Sequence, residues 1–170
     1  MELNKDTTLN KNAQATTATS RNPEAEISKI VDEILAALNE RDVDKLMSFY
    51  APDIVAYDCT GPAQYTDIKE YRKSWEEAFA MSNDDEEGSS DFHGLRISAD
   101  NTLGFVYAIR HDVLSPKDGK KMEMWMRMTQ CFEKRNNKWL ITHEQFSFPV
   151  DFGSGKALFN QRPEGFPTLH

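Results

Sequence analysis

Asp58 is the residue whose type and position best suit general-base chemistry. It ends a predicted strand and precedes a break in the chain at Gly61 and Pro62, so its carboxylate can reach the mouth of a pocket. Burial beside an aromatic neighbour such as Tyr50 or Tyr57 would make this carboxylate a stronger base. Alternatively, Asp58 caps the turn that follows it through its carboxylate. The sequence leaves both interpretations open.

A second carboxylic acid, Glu144, shares a face of the last predicted strand with Phe146. A buried Glu144 opposite Asp58 would form a carboxylate pair of the kind used in acid–base catalysis. His93 and His111 lie on the middle strands, where a single histidine is more often structural than functional. His93 is kept as a candidate to line the pocket.

Composition and motifs exclude several classes of function. No glycine-rich phosphate loop, nucleophile motif or metal-ligand spacing is present, so no cofactor and no metal is expected. A net charge of −8 and a pI of about 5.0 leave no basic footprint for nucleic acid or an anionic membrane. No apolar run approaches the roughly 18 residues of a membrane-spanning helix. Cys59 and Cys131 have no disulfide framework around them, which predicts free thiols and a cytoplasmic location.

Hydrophobic periodicity predicts three helices that precede most of the strands. Asn22 and Pro23 form a helix start, and apolar residues then recur at helical spacing. Asp42 and Asp67 are expected to cap the second and third helices. Alternating apolar residues predict strands over residues 53–58, 92–98, 103–114, 121–134 and 139–148. The order α-α-β-α-β-β-β-β indicates an α+β fold with helices packed on one face of a sheet.

The 170 residues divide into three predicted parts. Residues 1–22 are polar and contain no aromatic side chain, which predicts a disordered tail. Residues 23–149 form the folded domain. Residues 150–170 form a C-terminal extension whose phenylalanines are expected to pack on the domain or on a partner subunit. The acidic run at residues 84–87 is interpreted as a solvated loop.

Four methionines share one face of the strand predicted over residues 121–134. Such a row is consistent with a plain core stripe, or with the wall of an apolar pocket that adapts to its ligand because methionine fills irregular spaces. The row consists of Met122, Met124, Met126 and Met128.

The last strand suggests that both faces of the sheet are covered. Its alternation places His143, Gln145 and Ser147 on one face together with Trp139 and Ile141. The other face carries Glu144 and further apolar residues. Because large apolar patches are uncommon on monomers, we expect helices on one face and a second subunit on the other.

Two segments carry a resemblance to a known superfamily. The segment ALNERDVDKLMSFYAPDIVAYDCTG, together with the order of elements, resembles the nuclear transport factor 2-like superfamily, nearest its SnoaL-like and ketosteroid-isomerase-like branch. The segment RMTQCFEKRNNKWLITHEQFSFP resembles the end of SnoaL-like domains and of the association domain of calcium/calmodulin-dependent kinase. The residues that match this second motif are Arg127, Thr129, Trp139, His143 and Ser147, with Gln145 in place of a second histidine.

This resemblance implies a conical half-barrel in which three N-terminal helices close over a curved, mostly antiparallel sheet around one deep apolar pocket. It also implies a homodimer formed through the outer face of the sheet. The residues expected to line the pocket are Ile34, Tyr50, Tyr57, Trp75, Phe79, His93, Met126, Met128 and Phe146. Arg127, Thr129, His143, Gln145 and Ser147 are expected at an interface or in a sheet-stabilising role.

The resemblance carries the catalytic base of ketosteroid isomerases onto Asp58. Those enzymes also need two donors for the enolate oxygen, and the same alignment puts Ile34 and a position near Met128 there. Neither side chain donates a hydrogen bond, which argues against steroid isomerase chemistry. The leading hypothesis is a pocket protein that binds a small, largely apolar molecule and need not catalyse a reaction. The alternatives are an isomerase, cyclase or dehydratase with Asp58 as base, and an oligomerising association module.

Overall fold

A computed structural model describes residues 22–81, 88–117 and 120–165. The helices are α1 (Pro23–Glu40), α2 (Val43–Met47) and α3 (Ile68–Ala80). The strands are β1 (Tyr50–Tyr57), β2 (Ser89–Ala99), β3 (Leu103–Leu114), β4 (Met122–Arg135), β5 (Lys138–Ser147), β6 (Val150–Asp151) and β7 (Lys156–Ala157). The predicted tail lies outside the described residues except for Asn22, and the acidic run at 84–87 lies outside them entirely.

Local signals position the helices as the sequence predicts. The Asn22 side chain accepts a hydrogen bond from Ala25 N at 3.2 Å, ahead of a proline in the first turn of α1. Asp42 and Asp67 cap α2 and α3 in the same way. Each cap satisfies a backbone N–H that has no partner within its own helix. None of the helices in the described ranges is long and apolar enough to cross a membrane.

Five strands form one curved, unclosed sheet in the order β1-β5-β4-β3-β2. β1 and β5 pair in parallel, and the other neighbours in this sheet are antiparallel. The three helices cover the inner face, and the α+β fold class is confirmed. α1 packs closely against β3 at Gly104, where a Cβ atom would overlap Ile27 Cδ1.

The prediction that Trp139 and Ile141 share a face of the sheet with His143 is wrong. Cys131 and Phe132, which are adjacent in β4, pair with His143 and Ile141 of β5. β5 therefore contains one extra residue that interrupts the ladder. Because side chains alternate with period two, this bulge turns the first half of the strand over. Trp139 and Ile141 therefore lie in the core, with 3% and 0% of their surface exposed.

Part of the C-terminal extension contacts the sheet. The Phe159 carbonyl accepts a hydrogen bond from Trp125 N at 2.7 Å, and the Phe159 ring meets Phe148 with 6.2 Å between centroids. The Arg162 guanidinium lies over the Trp125 ring at 5.6 Å. The boundaries assigned to the three parts of the chain stay a prediction.

Candidate functional site

A cavity of about 380 Å³ opens between α3, the segment after β1 and the inner face of the sheet. Its volume falls in the usual range for small-molecule sites, about 300–1,000 Å³. The cavity is lined by five of the residues that the sequence assigns to a site: Asp58, Trp75, Phe79, Met126 and Phe146. The wall is mostly apolar, and within residues 22–81, 88–117 and 120–165 its charged members are Arg41, Asp58, Arg110 and Asp112.

The methionine row divides between the two roles that the sequence allows. Met122, Met124 and Met126 line the cavity. Met128 is 2% exposed and packs in the core below it. Ile34 and Tyr50 lie at the same depth around a smaller space. These last three side chains therefore form the layer beneath the cavity and do not line it, which corrects their assignment to the pocket wall.

Tyr57 and His93 are also absent from the cavity wall, and strand alternation is the reason. Phe92 is opposite Arg110 and points inward, so the adjacent His93 points outward, where its ring lies 5.2 Å from that of Trp125. Tyr57 is 42% exposed and its ring meets His143 at 4.8 Å. The assignment of Tyr57 and His93 to the pocket is corrected accordingly.

Apart from Trp139, which lies in the core, the residues of the family motif lie on the outer face of the sheet. Arg127 and Gln145 are exposed, and Thr129 and Ser147 are half-buried there. His143 Nδ1 lies 2.8 Å from the Val55 carbonyl oxygen and so links β5 to β1. This geometry suits the sheet-stabilising role expected of His143.

Asp58 faces the cavity but is held by its own turn. Its carboxylate accepts a hydrogen bond from Thr60 N at 3.3 Å. Burial, reinforced by Asp58, raises the pKa of the neighbouring Cys59 thiol to about 12. Cys59 is therefore protonated at neutral pH and is a poor nucleophile, since the thiolate is the reactive form.

Glu144 lies beneath the cavity at the centre of a buried polar cluster. It is 0% exposed and accepts hydrogen bonds from Tyr50 Oη at 2.8 Å, Tyr71 Oη at 2.5 Å and Gln130 Nε2 at 2.5 Å. Burial raises the pKa of Glu144, and these hydrogen bonds oppose that shift in part. Burial raises the pKa values of Tyr50 and Tyr71, and the nearby Glu144 carboxyl raises them further. The cluster joins β1, α3, β4 and β5 and is closed to the cavity.

Arg110 and Asp112 form a buried ion pair in the cavity wall. Arg110 Nε donates to Asp112 Oδ1 at 2.8 Å, and the two residues are 6% and 3% exposed. Ser90 Oγ also donates to Asp112, at 2.7 Å, and Asn39 holds the Ser90 backbone through two hydrogen bonds. This network ties the ion pair to β2 and α1.

Two aromatic rings hold the Arg110 guanidinium in place. Its Cζ atom lies 5.3 Å from the Trp75 ring centroid and 5.4 Å from that of Phe146. Cation–π contacts of this kind strengthen when the cation is desolvated. Arg110, Asp112 and Tyr71 were not assigned to the site from the sequence. The available signal was an Arg-x-Asp pair on a strand face whose other members, Val106 and Ala108, are apolar.

Comparison with known proteins identifies the family. The sequence model of the SnoaL-like domain matches residues 27–151. The chain belongs to the SnoaL-like domain family. No curated protein sequence matches the chain. Among the described residues of this SnoaL-like protein, no three His, Cys, Asp or Glu side chains are grouped so as to hold a metal ion.

Solved structures share the nuclear transport factor 2-like fold. A nuclear transport factor 2-like protein of unknown function from Pseudomonas putida is 26% identical, with a TM-score of 0.74, covering 82% of this chain and 96% of its own. A protein from Xanthomonas campestris, provisionally named a calcium/calmodulin-dependent protein kinase II association domain, is 23% identical (TM-score 0.62; coverage 72% and 84%). A Streptomyces avermitilis protein, provisionally named a dehydratase of the same superfamily, is 14% identical (TM-score 0.63; coverage 74% and 95%).

Proposed function

We propose that this SnoaL-like protein binds a small, largely apolar molecule in its cavity. The observation that carries the proposal is the 380 Å³ cavity, whose wall is mostly apolar, with several methionine and aromatic side chains and one buried ion pair. Ligand sites in proteins commonly combine an apolar wall with a few fixed polar groups. Among the described residues, only Thr60 and Cys59, its neighbours in the chain, hydrogen-bond to the Asp58 carboxylate. A carboxylate held by its own turn in this way favours binding over turnover.

Filling the cavity is expected to weaken the binding of an apolar probe. Met124→Trp adds bulk on the cavity wall, so the affinity for the fluorescent amine N-phenyl-1-naphthylamine should fall at least tenfold in a fluorescence titration. Glu123→Trp is the matched control, because Glu123 precedes Met124 on the same strand and is exposed on the opposite face. Equal binding by both variants would contradict the proposal.

A second candidate function is acid–base catalysis with Asp58 as the base. The observation that favours it is that Asp58 lines the same cavity as Arg110, a cation that could stabilise an enolate oxygen in place of the donors missing at Ile34 and Met128. A protein of similar fold is provisionally named a dehydratase. Proton abstraction next to a carbonyl is the step that isomerase, cyclase and dehydratase reactions with this base would share.

Exchange of hydrogen for deuterium tests this step without knowledge of the substrate. If Asp58 is a base, the protein in D₂O should accelerate exchange at the carbon next to the carbonyl of the bicyclic ketone 1-tetralone, as followed by NMR. Asp58→Asn should reduce the acceleration by roughly 100-fold or more while binding persists. Asp53→Asn is the control, because Asp53 pairs with Arg135 away from the cavity. Absence of any acceleration in the unmodified protein would leave binding as the function.

We further propose a homodimer formed through the outer face of the sheet. Exposed apolar side chains on this face include Phe105 and Tyr107, 46% and 49% exposed and stacked with 6.4 Å between centroids. Tyr107→Asp should convert a dimer to a monomer in light scattering coupled to gel filtration. Met81→Asp, at another exposed apolar residue, should not. A dimer that survives Tyr107→Asp would place the interface elsewhere.

The proposal of a cytoplasmic location rests on the cysteines. Both Cys59 and Cys131 are free thiols, the usual state in a reducing compartment.

A further inference from the structure

We infer that Arg110 is the polar anchor of the ligand and that it binds a neutral oxygen acceptor, such as a ketone carbonyl, in preference to a carboxylate. The inference rests on the proposed function, because it names the class of molecule that the cavity takes. Three observations carry it: the unused donors of Arg110, the fixed position of its guanidinium, and the balance of charge around the cavity.

Arg110 has hydrogen-bonding capacity that the protein leaves unused. A guanidinium has five N–H donors and remains charged in proteins. Nε is used by Asp112, and Nη2 lies 3.5 Å from Ser90 Oγ. No group among the described residues accepts a hydrogen bond from Nη1. Since Arg110 lines the cavity, an oxygen atom of a ligand can supply the missing acceptor.

The position of the guanidinium is set before any ligand arrives. Trp75 and Phe146 contact its π face, and Asp112 fixes the Nε edge. Trp75 and Phe146 also line the cavity, so the rings that hold Arg110 would contact the apolar part of a ligand bound to it. A preorganised donor loses little conformational entropy on binding, which is the condition for a single hydrogen bond to orient a ligand.

The balance of charge favours a neutral acceptor over an anion. Among the described residues of the cavity wall, Arg41 and Arg110 are opposed by Asp58 and Asp112, so the formal charges cancel. A carboxylate bound to Arg110 would lose its hydration and would share the cation with Asp112. Burying a charge without a full counter-charge is costly, whereas a carbonyl needs only one donor.

Three probes of similar size and shape separate these possibilities. They are the hydrocarbon tetralin, the ketone 1-tetralone and the anion 1,2,3,4-tetrahydro-1-naphthoate, each used to displace N-phenyl-1-naphthylamine from the unmodified protein. A hydrogen bond to a charged donor predicts that the ketone binds about tenfold more tightly than the hydrocarbon. The anion should bind more weakly than the ketone. Equal displacement by ketone and hydrocarbon, or tighter binding of the anion, would overturn the inference.

A double variant attributes the preference to Arg110. R110M/D112N removes both charges together, and the amide oxygen introduced at position 112 could still accept from Ser90, so no buried charge is left alone. The double variant should bind tetralin as the unmodified protein does but lose the tenfold advantage of the ketone. If it does not fold, Arg110→Lys keeps a cation beside Asp112, but its ammonium ends one bond short of the position of Nη1, so the advantage should fall there too. If the variant that folds still binds the ketone about tenfold more tightly than the hydrocarbon, Arg110 is excluded as the anchor.

The two proposals fail in different ways. If N-phenyl-1-naphthylamine does not bind, or binds equally to Met124→Trp, the proposed function itself fails and the inference with it. If the fluorescent amine binds in the cavity but the three probes displace it without regard to their oxygen atoms, the cavity binds apolar molecules and only the role of Arg110 is wrong.

Discussion

Glu144→Leu is expected to lower the free energy of unfolding by at least about 3 kcal/mol, since each of three buried donors left without an acceptor costs about 1–3 kcal/mol. The three donors are the hydroxyls of Tyr50 and Tyr71 and the amide of Gln130, all directed at the Glu144 carboxyl. Leucine approximates the volume of glutamate but accepts nothing. The cluster holds together four elements beneath the cavity, so its loss would also loosen the cavity floor.

Chemical denaturation monitored by tryptophan fluorescence measures this effect. Gln145→Leu is the matched control, because Gln145 is the next residue on β5, is exposed, and lies on the outer face. An exposed substitution of this kind usually changes stability by no more than about 0.5 kcal/mol. A Glu144→Leu variant as stable as the Gln145→Leu control would show that the hydrogen bonds of Glu144 contribute nothing net.

The pH dependence of the same residue has a definite sign. Burial raises the pKa of Glu144 in the folded protein, so the folded state binds this proton more tightly than the unfolded state does. The stabilising contribution of the protonated carboxyl is present below its ordinary pKa of 4.5 and is lost as pH rises through the raised folded value. Glu144→Gln does not titrate. The stability of the unmodified protein relative to Glu144→Gln should therefore decline as pH rises above about 4.5, and a constant difference would contradict a raised pKa.

Arg110→Met is expected to cost about 3–5 kcal/mol of stability, the usual effect of breaking a buried ion pair by removing one partner. It leaves the Asp112 carboxylate buried, 3% exposed, and still accepting a hydrogen bond from the Ser90 hydroxyl. It also removes the cation from between Trp75 and Phe146. Unfolding curves in urea give the free energy directly.

A double-mutant cycle separates the ion pair from the packing of the arginine. R110M/D112N should recover most of the loss, because replacing both members of a buried pair is often close to neutral. Arg110→Met, Asp112→Asn and the double variant complete the cycle, and a coupling energy of at least about 1 kcal/mol is expected for groups in direct contact. Additive effects would mean that Arg110 stabilises the fold through its ring contacts alone.

The fold was predictable because its signals are local. Asn22, Asp42 and Asp67 cap helices within three residues of themselves. Period-two alternation marks β3 and β4, and the two motif segments point to the family. The cavity wall was predictable in part for the same reason: Trp75, Phe79 and Met126 lie on faces that the periodicity identifies.

The alternation of side chains along the sequence gave a wrong prediction in β5, where the backbone departs from regular strand geometry. A single extra residue in β5 reverses the facing of Trp139 and Ile141 relative to Glu144. Nothing in the composition of residues 138–147 marks the bulge, since both registers give an apolar face. Only the pairing with β4 reveals the bulge, which brings Trp139 to the inner face together with Glu144.

The sequence by itself predicted the family, the order of the elements from α1 to β5 and an apolar-walled cavity. The tertiary structure alone decided which polar groups belong to that site. Glu144 meets Tyr71 across 73 residues of chain, and Arg110 meets Trp75 and Phe146 from two other elements. Hydrogen bonds and ring contacts act over a few ångströms, so they depend on how α3 packs against the sheet. No local pattern encodes that distance, which is why Arg110 emerged as the candidate anchor only from the folded protein.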